Sequence, residues 1–82
     1  MMKNTYTYTT KEPSQEIFNS IEKKYIFIER VNPTYMLVMN GKFEPLFNVV
    51  FNGNELTIVC INPMVRENEE IENFLKFIES II

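Results

Sequence analysis

Several amino-acid types that carry chemistry in proteins are missing from this chain of 82 residues. It has no histidine, aspartate, tryptophan or alanine, and its single cysteine is Cys60. The lack of histidine removes the usual proton carrier near neutral pH, and one thiol forms neither an internal disulfide nor a thiolate metal site. Cys60 lies between Val59 and Ile61, which favours a buried structural thiol over a nucleophile. We therefore predict neither an enzyme nor a bound cofactor or metal.

The charge balance of the chain is mildly acidic. All eleven acids are glutamates, the eight basic residues are scattered, and the formal net charge is −3. Proteins that bind nucleic acid through its phosphates present a basic stripe, so nucleic acid is a poor candidate partner. Four acids form a candidate acidic patch: Glu67, Glu69, Glu70 and Glu72. Acids stabilise the start of a helix, so a solvated first turn is the simplest interpretation, and a mimic of nucleic acid is the alternative.

Apolar residues make up 45% of the chain but occur only in short runs. No run is long enough to cross a membrane, and the start of the chain has no apolar stretch of the kind found in signal peptides. Together with the unpaired Cys60, this predicts a cytoplasmic protein. Residues 1–82 are expected to form one domain. The frequent asparagine and isoleucine, ten of each, indicate an AT-rich genome.

Hydrophobic periodicity and turn residues predict an α+β fold. Residues 5–10 alternate threonine and tyrosine, which indicates either an edge strand or a frayed tail within residues 1–10. Helices are predicted over residues 13–24 and from about residue 68 to the end, and strands over 25–31, 34–39, 42–51 and 55–61. We expect a small antiparallel four-stranded meander, with the N-terminal stretch as a fifth strand if it pairs, and with both helices packed on one face.

Two Asn-Gly pairs, Asn40-Gly41 and Asn52-Gly53, are typical of tight hairpin turns. If Asn52-Gly53 alone forms the turn, Phe51 lies opposite Asn54, and directly opposed residues share a face of the sheet. Proline in the third predicted strand, at Pro45, removes a ladder donor and indicates an edge position or a β-bulge.

This register predicts one strongly apolar face, which we expect to form the core beneath both helices. Its members are Phe47, Val49, Phe51, Leu56, Ile58 and Cys60, joined by Met36, Val38 and Phe43 if the Asn40-Gly41 turn is also tight. The second face is less polar than expected for a solvent-exposed face of an antiparallel sheet. Its apolar members are the candidate interface: Tyr35, Leu37, Leu46, Val50, Val59 and Ile61, with Ile26 and Ile28 as further candidates.

An apolar sheet face of this kind usually marks an interface. The alternative is that the N-terminal stretch with Tyr6 and Tyr8, or one of the helices, folds over it. We therefore predict a non-catalytic protein–protein interaction module, a homodimeric adaptor, inhibitor or regulatory protein that uses the second face, with no membrane partner. The alternative function is a small nucleic-acid-associated regulator that stacks bases on Tyr6, Tyr8 and Tyr35, or an acidic mimic that blocks a basic groove on a partner.

Overall fold

The protein folds as a five-stranded antiparallel sheet with two helices. The computed structural model describes residues 4–61 and 68–82. The elements are β1 (Thr5–Thr9), α1 (Ser14–Lys24), β2 (Ile28–Asn32), β3 (Tyr35–Met39), β4 (Pro45–Asn52), β5 (Glu55–Cys60) and α2 (Asn68–Ile81). The strands lie in the order β1-β5-β4-β3-β2. The α+β prediction is confirmed, and the N-terminal stretch is a fifth strand at the edge of the sheet.

The β4–β5 hairpin turns through Gly53-Asn54. Asn52 lies opposite Glu55, and Phe51 lies opposite Leu56. Gly53 has φ 64°, whereas Asn54 has no positive φ, as in a type II′ turn with glycine in its first central position. The predicted turn at Asn52-Gly53 is thus wrong by one residue, and the pairing shifts by two. Because side chains alternate with period two, this shift leaves the paired side chains of Phe47–Asn52 and Glu55–Cys60 on their predicted faces.

Both helices pack on one side of the sheet, which we call the inner face; the opposite side is the outer face. The inner face holds eight buried side chains from the three central strands: Met36, Val38, Phe47, Val49, Phe51, Leu56, Ile58 and Cys60. The helices add Ile17, Phe18, Ile21, Ile71, Phe74 and Ile78 to this core. The rings of Phe47 and Phe74 stack with centroids 4.2 Å apart, and Phe18 meets Phe51 edge to face at 5.6 Å.

The connection from β3 to β4 is a loop of residues 40–44, not a tight turn at Asn40-Gly41. The Asn40 side-chain Oδ1 accepts hydrogen bonds from the backbone N–H groups of Lys42 and Glu44. This loop holds Phe43 at φ 63° and leaves its side chain 68% exposed. The predicted place of Phe43 in the core is therefore wrong, because the loop turns its ring away from the inner face.

A β-bulge lies at the start of β4, as the proline in this strand indicates. Met39 lies opposite Pro45 and Val38 lies opposite Phe47, so Leu46 is the extra residue. Leu46 is only 8% exposed and belongs to the core. Its predicted place on the outer face is wrong because the bulge interrupts the alternation on which that prediction depended.

The strand predicted over residues 25–31 begins later than expected. The Tyr25 N–H group donates to the Ile21 carbonyl and closes α1. Ile26 is 80% exposed before the strand. Ile28 lies opposite the buried Val38 and packs against the core, so it faces the helices and not the outer face.

The two glycines should respond differently to alanine. Gly53→Ala places a side chain at positive φ with no new contact, so we expect a loss of about 1–2 kcal/mol in the free energy of unfolding. At Gly41, whose φ is not positive, a Cβ would meet the Phe27 ring at an ordinary 3.6 Å. Gly41→Ala should change stability by less than about 0.5 kcal/mol. Urea unfolding measures both, and equal losses would contradict the turn assignment.

Candidate functional site

The outer face brings four of the six predicted interface residues together. Tyr35 lies opposite Val50 across the β3–β4 pair. Asn48 lies between Leu37 on one side and Val59 on the other. Tyr35, Leu37, Val50 and Val59 therefore form one surface across the three central strands, with Asn48 in its middle.

The centre of the outer face is apolar and uncharged. Val50 is 36% exposed, and Tyr35, Leu37 and Val59 are half-buried. The Tyr35 hydroxyl donates a 2.9 Å hydrogen bond to Asn48 Oδ1, so these two polar groups partly satisfy each other. The acids on this face lie at its periphery, Glu29 on the edge strand β2 and Glu55 beside the turn. The outer face thus has an apolar centre and an acidic rim.

Two predicted interface residues lie apart from this centre. Ile61 follows the end of β5 and is half-buried, and its N–H group donates to the Leu46 carbonyl at 2.9 Å. Leu46 itself is in the core and offers little surface to a partner.

No helix or additional strand covers the outer face within residues 4–61 and 68–82. Both helices contribute their buried residues to the inner core. In β1, Tyr6 lies opposite Ile58 and Tyr8 opposite Leu56, so both tyrosines also face the helices. The alternative in which these tyrosines fold over the outer face is therefore not what the structure has.

Apolar side chains missed by sequence reasoning extend the outer face at one corner. The Met39 N–H group donates to the Phe27 carbonyl at 2.8 Å, which places Phe27 beside the outward-facing Met39. The Phe27 and Phe43 rings meet edge to face at 5.6 Å. Pro45 is the sequence signal that places Phe43 outside the sheet. A proline interrupts the hydrogen-bond ladder of a strand, so a loop is expected in the residues before it.

The candidate acidic patch lies in the other layer of the molecule. Glu69 and Glu72 are exposed on α2 and Glu70 is half-buried, while Glu67 lies outside the described residues. Burial, followed by the charge of Glu70, raises the pKa of Tyr25. Since α2 packs on the inner face, the patch and the outer face are on opposite sides of the protein.

The three tyrosines proposed to stack bases do not share a surface. Tyr35 is on the outer face, and Tyr6 and Tyr8 pack against the core on the inner face. The Tyr8 hydroxyl donates a 3.1 Å hydrogen bond to Glu79 on α2. Burial and this carboxylate raise the pKa of Tyr8 to about 12.

The described residues hold neither an exposed thiol, nor a metal-binding cluster, nor a membrane-spanning helix. Cys60 is 1% exposed in the core. The described residues contain no cluster of three or more acidic or thiol side chains that could hold a metal ion. None of the described helices is long and apolar enough to cross a membrane.

A shallow depression near the start of α1 contains the guanidinium of Arg30, with Ser14, Gln15, Asn32 and Pro33. Arg30 Nε lies 2.7 Å from Glu22, and a terminal nitrogen donates to Asn19 at 2.7 Å. Because Arg30 is already paired with residues of α1, this depression is explained as a structural contact between α1 and β2.

Comparison of the chain with protein families, with curated proteins and with solved structures gave no match.

The Tyr8–Glu79 contact predicts an unusual titration. In Glu79→Gln, we expect the pKa of Tyr8 to fall from about 12, but to stay above its ordinary value because burial remains. The folded state holds the Tyr8 hydroxyl proton more tightly than the unfolded state. The contribution of this group to the free energy of unfolding is therefore fully present below pH 10 and is lost as the pH rises towards 12. NMR titration of the tyrosine ring signals measures this shift. Glu72→Gln on the same helix is the control, and an equal shift in both variants would contradict the contact.

Proposed function

We propose that this protein is a non-catalytic protein–protein interaction module that forms a homodimer through its outer sheet face. The observation that carries this proposal is the apolar, uncharged centre formed by Tyr35, Leu37, Val50 and Val59, which neither helix covers. Contiguous apolar surface of this kind is unusual on a monomer and marks interaction sites.

The arrangement of polar groups supports a docking surface. Interfaces combine an apolar centre with a polar rim, and here Glu29 borders the centre on the edge strand β2, opposite Leu37, while Glu55 lies beside the β4–β5 turn. Within the centre, Tyr35 and Asn48 are hydrogen-bonded to each other, and Thr57 lies opposite Val50. Burying satisfied groups costs much less than burying unpaired ones, so this hydrogen bond lowers the cost of covering the centre, and an acceptor on the partner for the Asn48 amide N–H groups would lower it further.

A second copy of the chain is the partner that this face fits most simply. Two sheets pack face to face by interdigitating apolar side chains, and the dimer would enclose a second core between the two sheets, with the helices outside. A domain of this size has a small core, and oligomerisation is a common means of stabilising one. In the cytoplasm, such a dimer would act as an adaptor, an inhibitor or a regulatory subunit.

The acidic patch supports a second, independent candidate function. Glu69 and Glu72 are exposed on α2, on the side that a face-to-face dimer leaves free. Acidic side chains on a helix can occupy a basic groove of another protein, so the dimer would present one such patch on each outer side. Base stacking has less support because Tyr6 and Tyr8 face the core.

Lysine at the centre of the outer face should disrupt the dimer. We expect Val50→Lys and Val59→Lys to raise the dimer dissociation constant by at least about tenfold, because association would bury an unpaired charge. Light scattering during size-exclusion chromatography over a concentration series measures this. Asn73→Lys, exposed on α2, adds the same charge on the other side of the protein and should leave the dimer intact.

The salt dependence of association distinguishes this dimer from a complex with nucleic acid. Each copy has a net charge of −3 and an acidic rim, so added salt should strengthen the dimer by screening repulsion. Binding to nucleic acid would weaken instead. A monomer at every concentration and salt level, with both lysine variants folded, would contradict the proposed interface.

A further inference from the structure

The strand β1 forms an edge of the sheet, with β5 on one side and no described strand on the other. The two hydrogen bonds at its ends fix the direction of its backbone groups. The Cys60 N–H group donates to the Asn4 carbonyl, and the Thr10 N–H group donates to the Asn54 carbonyl. Antiparallel pairs alternate between bonded and non-bonded positions. Residues 4, 6, 8 and 10 therefore bond towards β5, and Thr5, Thr7 and Thr9 direct their N–H and C=O groups to the open edge.

The strand at the opposite edge of the sheet, β2, carries protective features that the strand β1 lacks. In β2, a register shift lies between Arg30 and Asn32, the strand contains Glu29 and Arg30, and Pro33 follows it. Bulges, charges and prolines are the devices that keep edge strands from pairing with other chains. The β1 sequence Thr-Tyr-Thr-Tyr-Thr has none of them, and all its residues are strong strand formers.

We infer that the open edge of β1 pairs antiparallel with β1 of a second copy, about a two-fold axis at Thr7. In this register Thr7 lies opposite itself, and Thr5 lies opposite Thr9 of the second copy. All three outward-facing residues of each chain then belong to bonded positions, where each opposed pair exchanges two hydrogen bonds. A shift by one residue would place outward-facing groups opposite inward-facing ones and lose these bonds.

The side chains of β1 are self-complementary in the same register. Tyr6 lies opposite Tyr8 of the second copy on the inner face, and threonines oppose threonines on the outer face. Aromatic pairs and threonine pairs are favourable across strands, whereas like charges are not. Because β1 carries no charge, two copies meet without repulsion along the strand. The absence of charge and the alternation about Thr7 favour a second copy over an unrelated strand.

This contact does not depend on the outer face, so it goes beyond the proposed function and is tested separately. The test uses the Val50→Lys protein, in which face-to-face dimers are weakened. Two double variants are made from it, one that adds Thr7→Lys and one that adds Thr7→Glu. Each alone brings like charges together at the two-fold axis, and we expect roughly fivefold weaker self-association than in Val50→Lys itself. A mixture of the two should form a heterodimer at least as tight as the parent dimer, measured by native mass spectrometry and sedimentation.

Two further variants make the result specific. Thr57→Lys and Thr57→Glu are the controls. Thr57 is on β5, directly opposite Thr7 and one strand away from the edge. A mixture of these two variants should show no preference for heterodimers. Thr7→Pro removes an outward-facing N–H group without breaking a bond to β5, and should also weaken self-association. The inference is overturned if the Val50→Lys protein is monomeric at all concentrations. It is also overturned if the Lys and Glu mixture gives no recovery.

Discussion

The structure depends on the alternation of side chains along the β4–β5 hairpin, set by the turn at Gly53-Asn54. This turn opposes Phe51 to Leu56 and sends every second side chain of both strands to the inner face. The strands β1 and β3 follow the same alternation, because β1 pairs with β5 and β3 pairs with β4. The helices then cover the one face that this pairing makes apolar, through contacts such as the stacked rings of Phe47 and Phe74.

The same constraint creates the surface on which the functional proposal depends. Strands with many β-branched and aromatic residues place apolar side chains on both faces, and two helices cover only one of them. The chain thus keeps an apolar centre around Val50 and Val59, in which Tyr35 and Asn48 are hydrogen-bonded to each other and the acids lie at the rim. Meanwhile, the edge at β1 lacks the protection found at β2. Face and edge are independent surfaces, and the proposed contacts with a second copy differ between them: apolar packing for the face and backbone hydrogen bonding for the edge.

Much of this architecture could be predicted from local patterns, and the errors have identifiable causes. The hairpin faces were correct although the turn was misplaced, because a shift of two residues conserves faces. Phe43 and Leu46 were misplaced because the bulge and the Asn40-centred loop interrupt alternation at Pro45, and periodicity does not locate an extra residue. The choice of edge strand over frayed tail for residues 5–9 depended on pairing with β5, which is distant in sequence. The grouping of Val50 with Val59 needed only the alternation within the β4–β5 hairpin. Tyr35 and Leu37 join them although the turn before β4 was misplaced, because the loop and the bulge together shift the β3–β4 pairing by four residues, and an even shift conserves faces.

The most direct test of the central claim is isotope-filtered NMR on a mixture of labelled and unlabelled chains, which detects only contacts between different copies. Under the proposed face-to-face packing, intermolecular contacts should join the methyl groups of Leu37, Val50 and Val59 of one copy to those of another. An oligomer that shows no intermolecular contact at these methyl groups would contradict the assignment of the outer face as the interface.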